Sequence, residues 1–328
     1  MKRAVIAAVA VAAVLLGCVG LSAAQQQQHP YVYNDAYRSH LLSRASYCDA
    51  TALREWSCGT VCNSIPGFVT DRTFQSPDGH SFGFSGVDHT NRQIILALRG
   101  TRNLTNWLQN LKYFRTPYTL STTCGSQCLV HRDLYDSYRS VRTRVTASLL
   151  RIMALQPEYQ LIITGHSFGG ALAVLAAVDL HTRYGNLLEH MKPMAIYTFG
   201  APRVGNPDFT RWADQLLANG PHYRLTHARD PVPHLPPMRF GYLHAPTEVF
   251  YRTADNSSMR VCVDSATAES KDCSNSLWAV SISDHLKYLG EPTGCTAALT
   301  AAAERDAQLP VHMYVELTLE HLNTYGDL

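Results

Sequence analysis

The sequence predicts an α/β fold in which helices cover both faces of a mostly parallel sheet. Of the 328 residues, 46% are hydrophobic and 16% are charged, which is typical of a packed globular protein and not of a disordered or fibrous one. Through the middle of the chain, short apolar segments alternate with segments of helical periodicity. That alternation predicts parallel strands joined by right-handed helical crossovers.

Residues 1–24 are predicted to be a signal peptide. Lys2 and Arg3 precede an apolar run over residues 4–21, and small residues at 22–24 provide a cleavage site. An uncleaved signal anchor is the alternative, because an apolar run of this length nearly spans a bilayer. Cleavage is favoured, since the run is dominated by Ala and Val, which insert weakly into membranes. We therefore expect a chain that is secreted or released into the secretory-pathway lumen, with no stable membrane anchor.

Residues 25–328 are expected to form one domain, whose elements follow in order. Ser81–Val87 and Gln93–Leu98 flank a turn-like segment and predict an antiparallel hairpin, and Asp133–Leu155 carries apolar residues at helical spacing. The parallel part is predicted to comprise strand Gln160–Thr164, helix Phe168–Tyr184, strand Met194–Phe199, helix Pro207–Leu217 and strand Tyr223–Thr226. The C-terminal extension, residues 296–328, is alanine-rich at first and predicts a short helix with no chemistry of its own.

The cysteines predict disulfide bonds, because eight of them lie beyond the signal peptide and an even number is typical of a disulfide framework in a secreted chain. They are Cys48, Cys58, Cys62, Cys124, Cys128, Cys262, Cys273 and Cys295. The spacing alone leaves many pairings open. Zinc is the alternative for the two close pairs, but neither has the regular two-residue spacing or the partnered histidines of a zinc site. We therefore expect four disulfides and no metal.

The balance of charge argues against two classes of partner. The chain has 28 basic and 26 acidic residues, and cleavage after residue 24 would remove Lys2 and Arg3 and leave 26 of each. A formally neutral chain gives no electrostatic reason to bind nucleic acid or an anionic membrane. We expect neither of them as a partner, and we expect a monomer.

The pentapeptide Gly-His-Ser-Phe-Gly occurs twice, around Ser81 and around Ser167. Gly-x-Ser-x-Gly marks a nucleophile elbow when a buried strand precedes it and a helix follows, so that the serine hydroxyl stands at the helix N-terminus. Ser167 has that setting, whereas Ser81 follows a turn signal and leads into an alternating strand. Ser167 is therefore the candidate nucleophile. The N–H of Phe168 is a candidate donor to the oxyanion that acyl transfer creates.

The acid and the base are sought downstream, because in α/β hydrolases the nucleophile is followed by an acidic residue and then by a histidine. Asp230 ends a predicted strand and precedes a proline, which places its carboxylate at the carboxyl edge of the sheet. Pattern alone cannot choose between His244 and His285 as the base. The other downstream histidines are His234, His312 and His321.

Seven separated motifs, spread from about Tyr37 to Cys295, carry a resemblance to a known family. They are LRGT at 98–101, NWL at 106–108, VH at 130–131, GHSFGG at 165–170, GAPRVGN at 200–206, DPVPHLPP at 230–237 and DHLxYxG at 284–290. In this order they resemble the fungal-type class 3 lipases, the Rhizomucor lipase family, in which the last two motifs carry the acid and the base. The resemblance implies an α/β-hydrolase fold, no cofactor, and Asp230 and His285 as the partners of Ser167.

The same resemblance implies further roles. Thr101 would donate the second hydrogen bond to the oxyanion, and residues 102–111 lie where the family has its mobile lid. Asn110 stands where an aspartate commonly supports the oxyanion residue, so that this support would be weaker or neutral. The implied acyl groove is lined by Tyr47, Trp107, Val232 and Leu286. The implied disulfides are Cys48–Cys295, Cys58–Cys62 and Cys262–Cys273, which leaves Cys124 with Cys128.

The lid segment favours one substrate class. Leu104, Trp107, Leu108 and Leu111 recur at helical spacing and predict an apolar stripe on a short amphipathic helix, for which a core-packed helix is the other interpretation. A small soluble aryl ester would not need this stripe. A triacylglycerol lipase acting at an oil–water interface is therefore preferred to a phospholipase A1 or to a feruloyl or short-chain esterase. A catalytically silent lipid-binding protein is disfavoured because all three triad residues are present.

Two sequons predict N-glycosylation in a secreted chain, one at Asn103 and one at Asn256. Asn103 belongs to the lid segment. We expect a glycan on Asn103 to project from the polar side of the lid helix and to bias the position of the lid.

Overall fold

The computed structural model describes residues 29–245, 247–253, 258–265, 267–306 and 308–325. The predicted signal peptide and the asparagine of the sequon at Asn256 lie outside these residues. Among the helices in these ranges, none combines the length and the apolar composition needed to cross a bilayer.

A mostly parallel sheet is the framework of the described chain. Its strands and those of two smaller sheets are β1 (Phe68–Gln75), β2 (Phe82–Asp88), β3 (Gln93–Leu98), β4 (Arg115–Pro117), β5 (Leu129–His131), β6 (Gln160–His166), β7 (Lys192–Phe199), β8 (His222–His227), β9 (Glu248–Tyr251), β10 (Arg260–Cys262), β11 (Lys287–Tyr288) and β12 (Glu291–Pro292). The central sheet has the order β1-β2-β3-β6-β7-β8-β9-β10, and β4 pairs with β5 and β11 with β12. Within the central sheet, β3, β6, β7, β8 and β9 run parallel. Antiparallel pairs close both edges, with β1 and β2 on one side and β10 on the other.

Helices cover both faces of this sheet, as the sequence predicts. The helices of the described residues are α1 (Tyr33–Ala45), α2 (Ala50–Arg54), α3 (Thr60–Asn63), α4 (Leu104–Asn110), α5 (Arg132–Leu155), α6 (Phe168–Leu188), α7 (Pro207–Leu217), α8 (Ile282–His285), α9 (Ala297–Asp306) and α10 (Val311–Tyr325). The apolar residues of α1 to α3 belong to one core cluster, and those of α5 to α7 belong to another.

The alternation of side chains along β3 divides them between these two clusters. Ile94 and Leu96 pack with α5 to α7, whereas Ile95 and Ala97 pack with α1 to α3, and all four are fully buried. Successive residues of a strand point to opposite faces, so a strand that is covered on both sides needs an unbroken apolar run. This is why β3 and β6 read as continuous apolar segments.

The predicted elements are present, with differences at some ends. The hairpin is β2 and β3, and α7 begins at Pro207 because the side chain of Asn206 accepts a hydrogen bond from the Phe209 N–H at 3.1 Å. The prediction ends α6 at Tyr184, where the structure has a break (φ −131°, ψ 24°) before the helix continues to Leu188.

The C-terminal extension forms two helices, α9 and α10, where the sequence predicts one. Met313 and Leu317 of α10 are buried and lie one turn apart. A buried pair of this kind is too short a pattern to identify a helix by periodicity.

Candidate active site

Ser167 stands in a strained turn between β6 and α6. Its backbone has φ +58° and ψ −133°, a positive φ that residues other than glycine rarely adopt. The Ser167 N–H donates to the carbonyl of Phe199, at the end of the neighbouring strand β7, at 2.8 Å. Strain of this kind costs about 1–3 kcal/mol and clusters at functional sites. The structure therefore gives Ser167 the strand–turn–helix setting that the sequence predicts.

Two glycines of the pentapeptide are required by packing. A Cβ added to Gly169 would lie 2.1 Å from the carbonyl oxygen of Leu98, and one added to Gly165 would lie 2.3 Å from the carbonyl oxygen of Gly169. Because backbone atoms cannot yield to such contacts, a larger residue at either position would push α6 away from the sheet.

The structure brings Ser167, His285 and Asp230 together in one buried row. His285 Nε2 lies 2.9 Å from Ser167 Oγ, and His285 Nδ1 lies 2.9 Å from each carboxylate oxygen of Asp230. A carboxylate only accepts hydrogen bonds, so Nδ1 carries the proton and Nε2 accepts from the serine hydroxyl. This is the arrangement in which an imidazole acts as a general base towards a serine.

Asp230 is held by two further donors. Its Oδ1 accepts from the Val232 N–H at 2.8 Å, and its Oδ2 accepts from the Tyr288 hydroxyl at 2.6 Å. Burial, together with the charge of Asp230, raises the pKa of Tyr288, so this hydroxyl stays protonated and keeps donating. Tyr288 lies in a motif recognised in the sequence, but the sequence assigned it no role.

His166 holds the backbone of His285. Burial, together with the neighbouring His285, lowers the pKa of His166 well below its ordinary value, so its ring is neutral. His166 Nε2 lies 2.8 Å from the carbonyl oxygen of His285 and therefore donates, which leaves Nδ1 to accept from the Tyr47 hydroxyl at 2.8 Å. The sequence assigned His166 no role either.

Arg203 anchors the loop that follows Asp230. Its guanidinium donates to the carbonyls of His234 at 2.7 Å and Pro236 at 3.0 Å and forms a bidentate pair with Glu269. The side chain is fully buried. The GAPRVGN and DPVPHLPP motifs thus meet here, and the contact fixes the loop that carries the carboxylate.

The expected oxyanion donors lie beside Ser167. Phe168 is the first residue of α6, where backbone N–H groups have no partner within the helix. Thr101 lines the same cavity as Ser167, and its hydroxyl oxygen accepts from the Asn103 N–H at 3.2 Å. The Asn110 side chain donates to the Asn106 carbonyl at 2.8 Å, within α4. The Thr101 hydroxyl also donates to the Asn103 carbonyl at 3.3 Å, so it exchanges two hydrogen bonds with the Asn103 backbone.

A cavity of about 830 Å³ opens beside the triad. Its volume lies in the range of small-molecule binding sites. Ser167, His285, Tyr47 and Leu286 line it. Two of the four acyl-groove residues implied by the resemblance, Tyr47 and Leu286, are therefore at the cavity.

Trp107 and Val232, the other two, do not line this cavity. The Trp107 ring packs edge-to-face on Phe168 at 6.3 Å between centroids. Val232 is fully buried in what we call the lid cluster, whose buried members are Leu104, Leu108, Val232, Leu235, Ile282, Leu286, Met313 and Leu317. The predicted lid helix is α4, and its apolar stripe faces this cluster.

Ser81 and His244, which the sequence raised as alternatives for the nucleophile and the base, each contact a backbone carbonyl away from the triad. The Ser81 hydroxyl donates to the carbonyl of Ser137 at 3.1 Å, immediately before β2, as expected for a turn-and-strand residue. His244 Nε2 contacts the carbonyl of Pro233 at 2.7 Å, and burial, together with Arg224, lowers the pKa of its ring.

The disulfides pair as the resemblance implies, as Cys48–Cys295, Cys58–Cys62, Cys124–Cys128 and Cys262–Cys273. Asn103 is exposed and caps α4 by accepting from the Asn106 N–H at 2.9 Å. Over the ranges that the structure describes, no three His, Cys, Asp or Glu residues are grouped as metal ligands.

Comparisons with a protein family, with individual proteins and with a solved structure all match lipases. The sequence model of the Lipase (class 3) family matches residues 95–240. The chain is 34% identical to a lipase of Rhizomucor miehei over 281 residues, which is 84% of this chain and 73% of that protein. It is 34% identical over 177 residues, 54% of each protein, to secreted mono- and diacylglycerol lipase A of Penicillium camembertii. A solved triacylglycerol lipase, whose catalytic centre is formed by a serine protease triad, matches with a TM-score of 0.70 and 32% identity over 80% of this chain and 96% of that one.

Proposed function

We propose that this chain, which belongs to the class 3 lipase family and is a serine ester hydrolase, cleaves triacylglycerol at an oil–water interface. The observation that carries the proposal is the hydrogen-bonded row of Asp230, His285 and Ser167 at a cavity beside the apolar-striped helix α4. The row supplies the chemistry of ester cleavage. The stripe supports a lipid surface as the place where the enzyme acts.

The reaction proceeds through an acyl-enzyme. Ser167 Oγ attacks the ester carbonyl carbon while His285 Nε2 takes its proton, and Asp230 orients the ring and stabilises the imidazolium. The carbonyl oxygen becomes an oxyanion beside the Phe168 N–H and Thr101, and one such donor is worth about 10²–10³ in kcat. His285 then protonates the leaving glycerol oxygen. Water, activated by the same histidine, releases the fatty acid.

Soluble esters are the second candidate substrate class, and the lid cluster favours them. Leu108 of the apolar stripe is fully buried in this cluster, which also contains Met313 and Leu317 of α10. A stripe that is covered by the protein itself is less available to a lipid surface than an uncovered one. The choice between the two classes depends on whether α4 moves.

Export, a single domain and a monomeric state complete the proposal. The leader at residues 1–24 and the four disulfides support an oxidising compartment outside the cytosol. Residues 25–328 would then form one domain. All three members of the candidate triad come from one chain, so catalysis requires no second copy.

The test compares four substrates with one enzyme preparation: emulsified tributyrin, a soluble acetate ester, a feruloyl ester and a phospholipid. We expect the highest rate on emulsified tributyrin. A higher rate on the phospholipid, or on either soluble ester, would contradict the triacylglycerol assignment while leaving the ester-hydrolase chemistry intact. The Ser167→Ala variant, which lacks the attacking oxygen, measures the background on each substrate.

A further inference from the structure

The C-terminal extension, to which the sequence assigned no chemistry, forms part of the cavity beside Ser167. Its lining residues on and just before α9 are Thr296, Leu299, Thr300, Ala302 and Ala303. Thr296, Leu299, Thr300 and Ala303 are spaced at i, i+3, i+4 and i+7, which places them on one face of the helix. One face of α9 is therefore a wall of the same cavity that contains Ser167 and His285.

A disulfide fixes the position of this wall. Cys295 immediately precedes the extension and is bonded to Cys48, and both cysteines line the cavity. Beside Cys48, Tyr47, Asp49 and Ala52 also line it. The Thr300 hydroxyl accepts from the Gly294 N–H at 3.0 Å and donates to the Thr296 carbonyl at 3.2 Å, so the start of α9 is tied to the chain before it.

The second helix of the extension packs into the lid cluster. Met313 and Leu317 of α10 are almost fully buried in the lid cluster with Val232 and Leu286. Glu320 accepts from the Met238 N–H at 2.6 Å, and Glu316 forms an ion pair with Arg239. These contacts fasten α10 to the loop that follows Asp230. Val232 is covered by the chain's own side chains.

We propose that the acyl chain of the substrate lies along the α9 wall and that Leu299 is a specificity-determining residue. The acyl chain would pass between α9 and the residues Tyr47, Leu104 and Leu286, which line the same cavity. It would not lie over Val232, which is fully buried in the lid cluster that also contains Met313 and Leu317. The inference rests on the proposed function, because it assigns the acyl chain of an ester held at Ser167.

The ligand that fits this wall is an unbranched aliphatic chain. The residues that α9 contributes are apolar or small, and Thr300 has its hydroxyl engaged in the two hydrogen bonds described above. Such a wall provides contact area but no directional partner, so it distinguishes substrates by length. Acyl chains long enough to reach α9 should gain from it, and an acetyl group should not.

The experiment measures kcat/KM of the full chain on p-nitrophenyl acetate, butyrate, octanoate and laurate. Leu299→Trp narrows the cavity and Leu299→Ala removes apolar contact, and Leu299 is 58% exposed, so neither change disturbs a packed core. The matched control is Leu319→Trp, an exposed leucine of α10. Thermal unfolding checks that all variants are folded.

We expect Leu299→Trp to leave the rate on acetate within about twofold and to lower the laurate-to-acetate ratio by about tenfold or more, the scale of a methylene-sized change in an apolar pocket. Leu299→Ala should lower the same ratio less, and Leu319→Trp should leave it unchanged. Equal ratios in Leu299→Trp, Leu319→Trp and the unsubstituted chain would overturn the inference. A chain that hydrolyses none of the esters would overturn the proposed function as well, so the two failures are distinct.

Discussion

The Tyr288 hydroxyl donates a 2.6 Å hydrogen bond to Oδ2 of Asp230, while Oδ1 of the same carboxylate accepts from the Val232 N–H. Each oxygen also lies 2.9 Å from His285 Nδ1. The carboxylate is thus held at both oxygens, and it has one orientation in which to face the imidazole.

Removing that tyrosine hydroxyl should weaken both stability and turnover. Hydrogen bonds to charged groups contribute about 1.5–3 kcal/mol. Tyr288→Phe should therefore lower the free energy of unfolding, measured by urea denaturation, by about 2 kcal/mol. Part of this loss should appear in catalysis as a fall in kcat of about tenfold on a soluble ester. Tyr251→Phe is the matched control, because the buried Tyr251 hydroxyl accepts from the Leu289 N–H at 2.7 Å and makes no hydrogen bond to Asp230. It should destabilise the chain but leave kcat nearly unchanged; equal kcat values in the two variants would contradict the role of Tyr288.

The two identical pentapeptides should respond differently to the same substitution. Ser167→Ala should lower kcat by about 10⁶-fold, the scale seen when a triad nucleophile is removed. Ser81→Ala removes one hydrogen bond to the Ser137 carbonyl, which is worth about 1 kcal/mol of stability, and should stay active. Titration with a fluorophosphonate ester, followed by peptide mapping, identifies the modified serine. Labelling of Ser81 in a folded chain would show that the elbow assignment is wrong.

Gly200 should be indispensable for the geometry of the triad. It has φ +57°, and a Cβ there would lie 2.7 Å from Asp230 Oδ2 and 2.9 Å from His285 Nδ1. Gly200→Ala should therefore separate the pair and lower kcat by about 100-fold, the effect of a 1 Å displacement. Gly125→Ala has the same kind of backbone strain (φ +78°) with no atom within 4 Å of the added methyl group, and Gly125 does not line the cavity of Ser167. That control should lose stability without a comparable loss of kcat; if both variants keep full activity, the contact is not limiting.

The lid should give a rate jump at the solubility limit of a short-chain ester. Burial of each large apolar side chain is worth roughly 1.5–3 kcal/mol, and about 5.5 kcal/mol of differential binding moves a population from 1:99 to 99:1. An oil surface that receives Trp107 and its neighbours on α4 therefore has enough free energy available to shift the lid. Trp107→Ser should reduce the jump, whereas Trp212→Ser, on α7, should not. Smooth saturation without a jump, in a chain confirmed to carry no glycan at Asn103, would favour the soluble esterase.

Acid should destabilise the fold through buried histidines. Burial, together with Arg44, lowers the pKa of His40 to about 3, and burial, with Arg224 and Arg203 respectively, lowers those of His222 and His234 to about 4. Below pH about 6.5, each of these histidines therefore binds fewer protons in the folded state than in the unfolded state. The stability that each neutral ring contributes is fully present above pH about 6.5 and is lost as the pH falls towards the pKa of the folded state. His40→Leu and His40→Gln should each reduce the slope of unfolding free energy by about 1.4 kcal/mol per pH unit between about pH 4 and 6. An unchanged slope in both variants, measured by urea unfolding, would contradict the assignment.

The fold and the triad differ in how far the sequence determines them. The parallel strands and α6 could be predicted because a strand covered on both faces is continuously apolar and a helix has its own period. Ser167 could be distinguished from Ser81 because strand and helix flank it. The choice of His285 over His244 needed the family resemblance, because the sequence alone does not show which histidine lies close to the serine and the aspartate in the folded chain.

Other features could not be read from the sequence, because they depend on contacts between distant segments. Nothing in the local pattern indicates that Tyr288 donates to Asp230 or that Leu299 faces the cavity of Ser167. The burial of Val232 and Met313 in one cluster has the same origin, since an apolar side chain on a short helix can pack on any apolar surface. The implied acyl groove was carried over from a family pattern that contains no information on α10.

Cys295 marks the point in the chain after which a protease could remove residues without removing a member of the triad. Ser167, Asp230 and His285 all precede the Cys48–Cys295 bond, whereas α9 and α10 follow it. A cut just after Cys295 would release both helices and leave the triad and its disulfide in place. Limited digestion of a chain with this layout would therefore change which esters are cleaved before it changed whether any are cleaved.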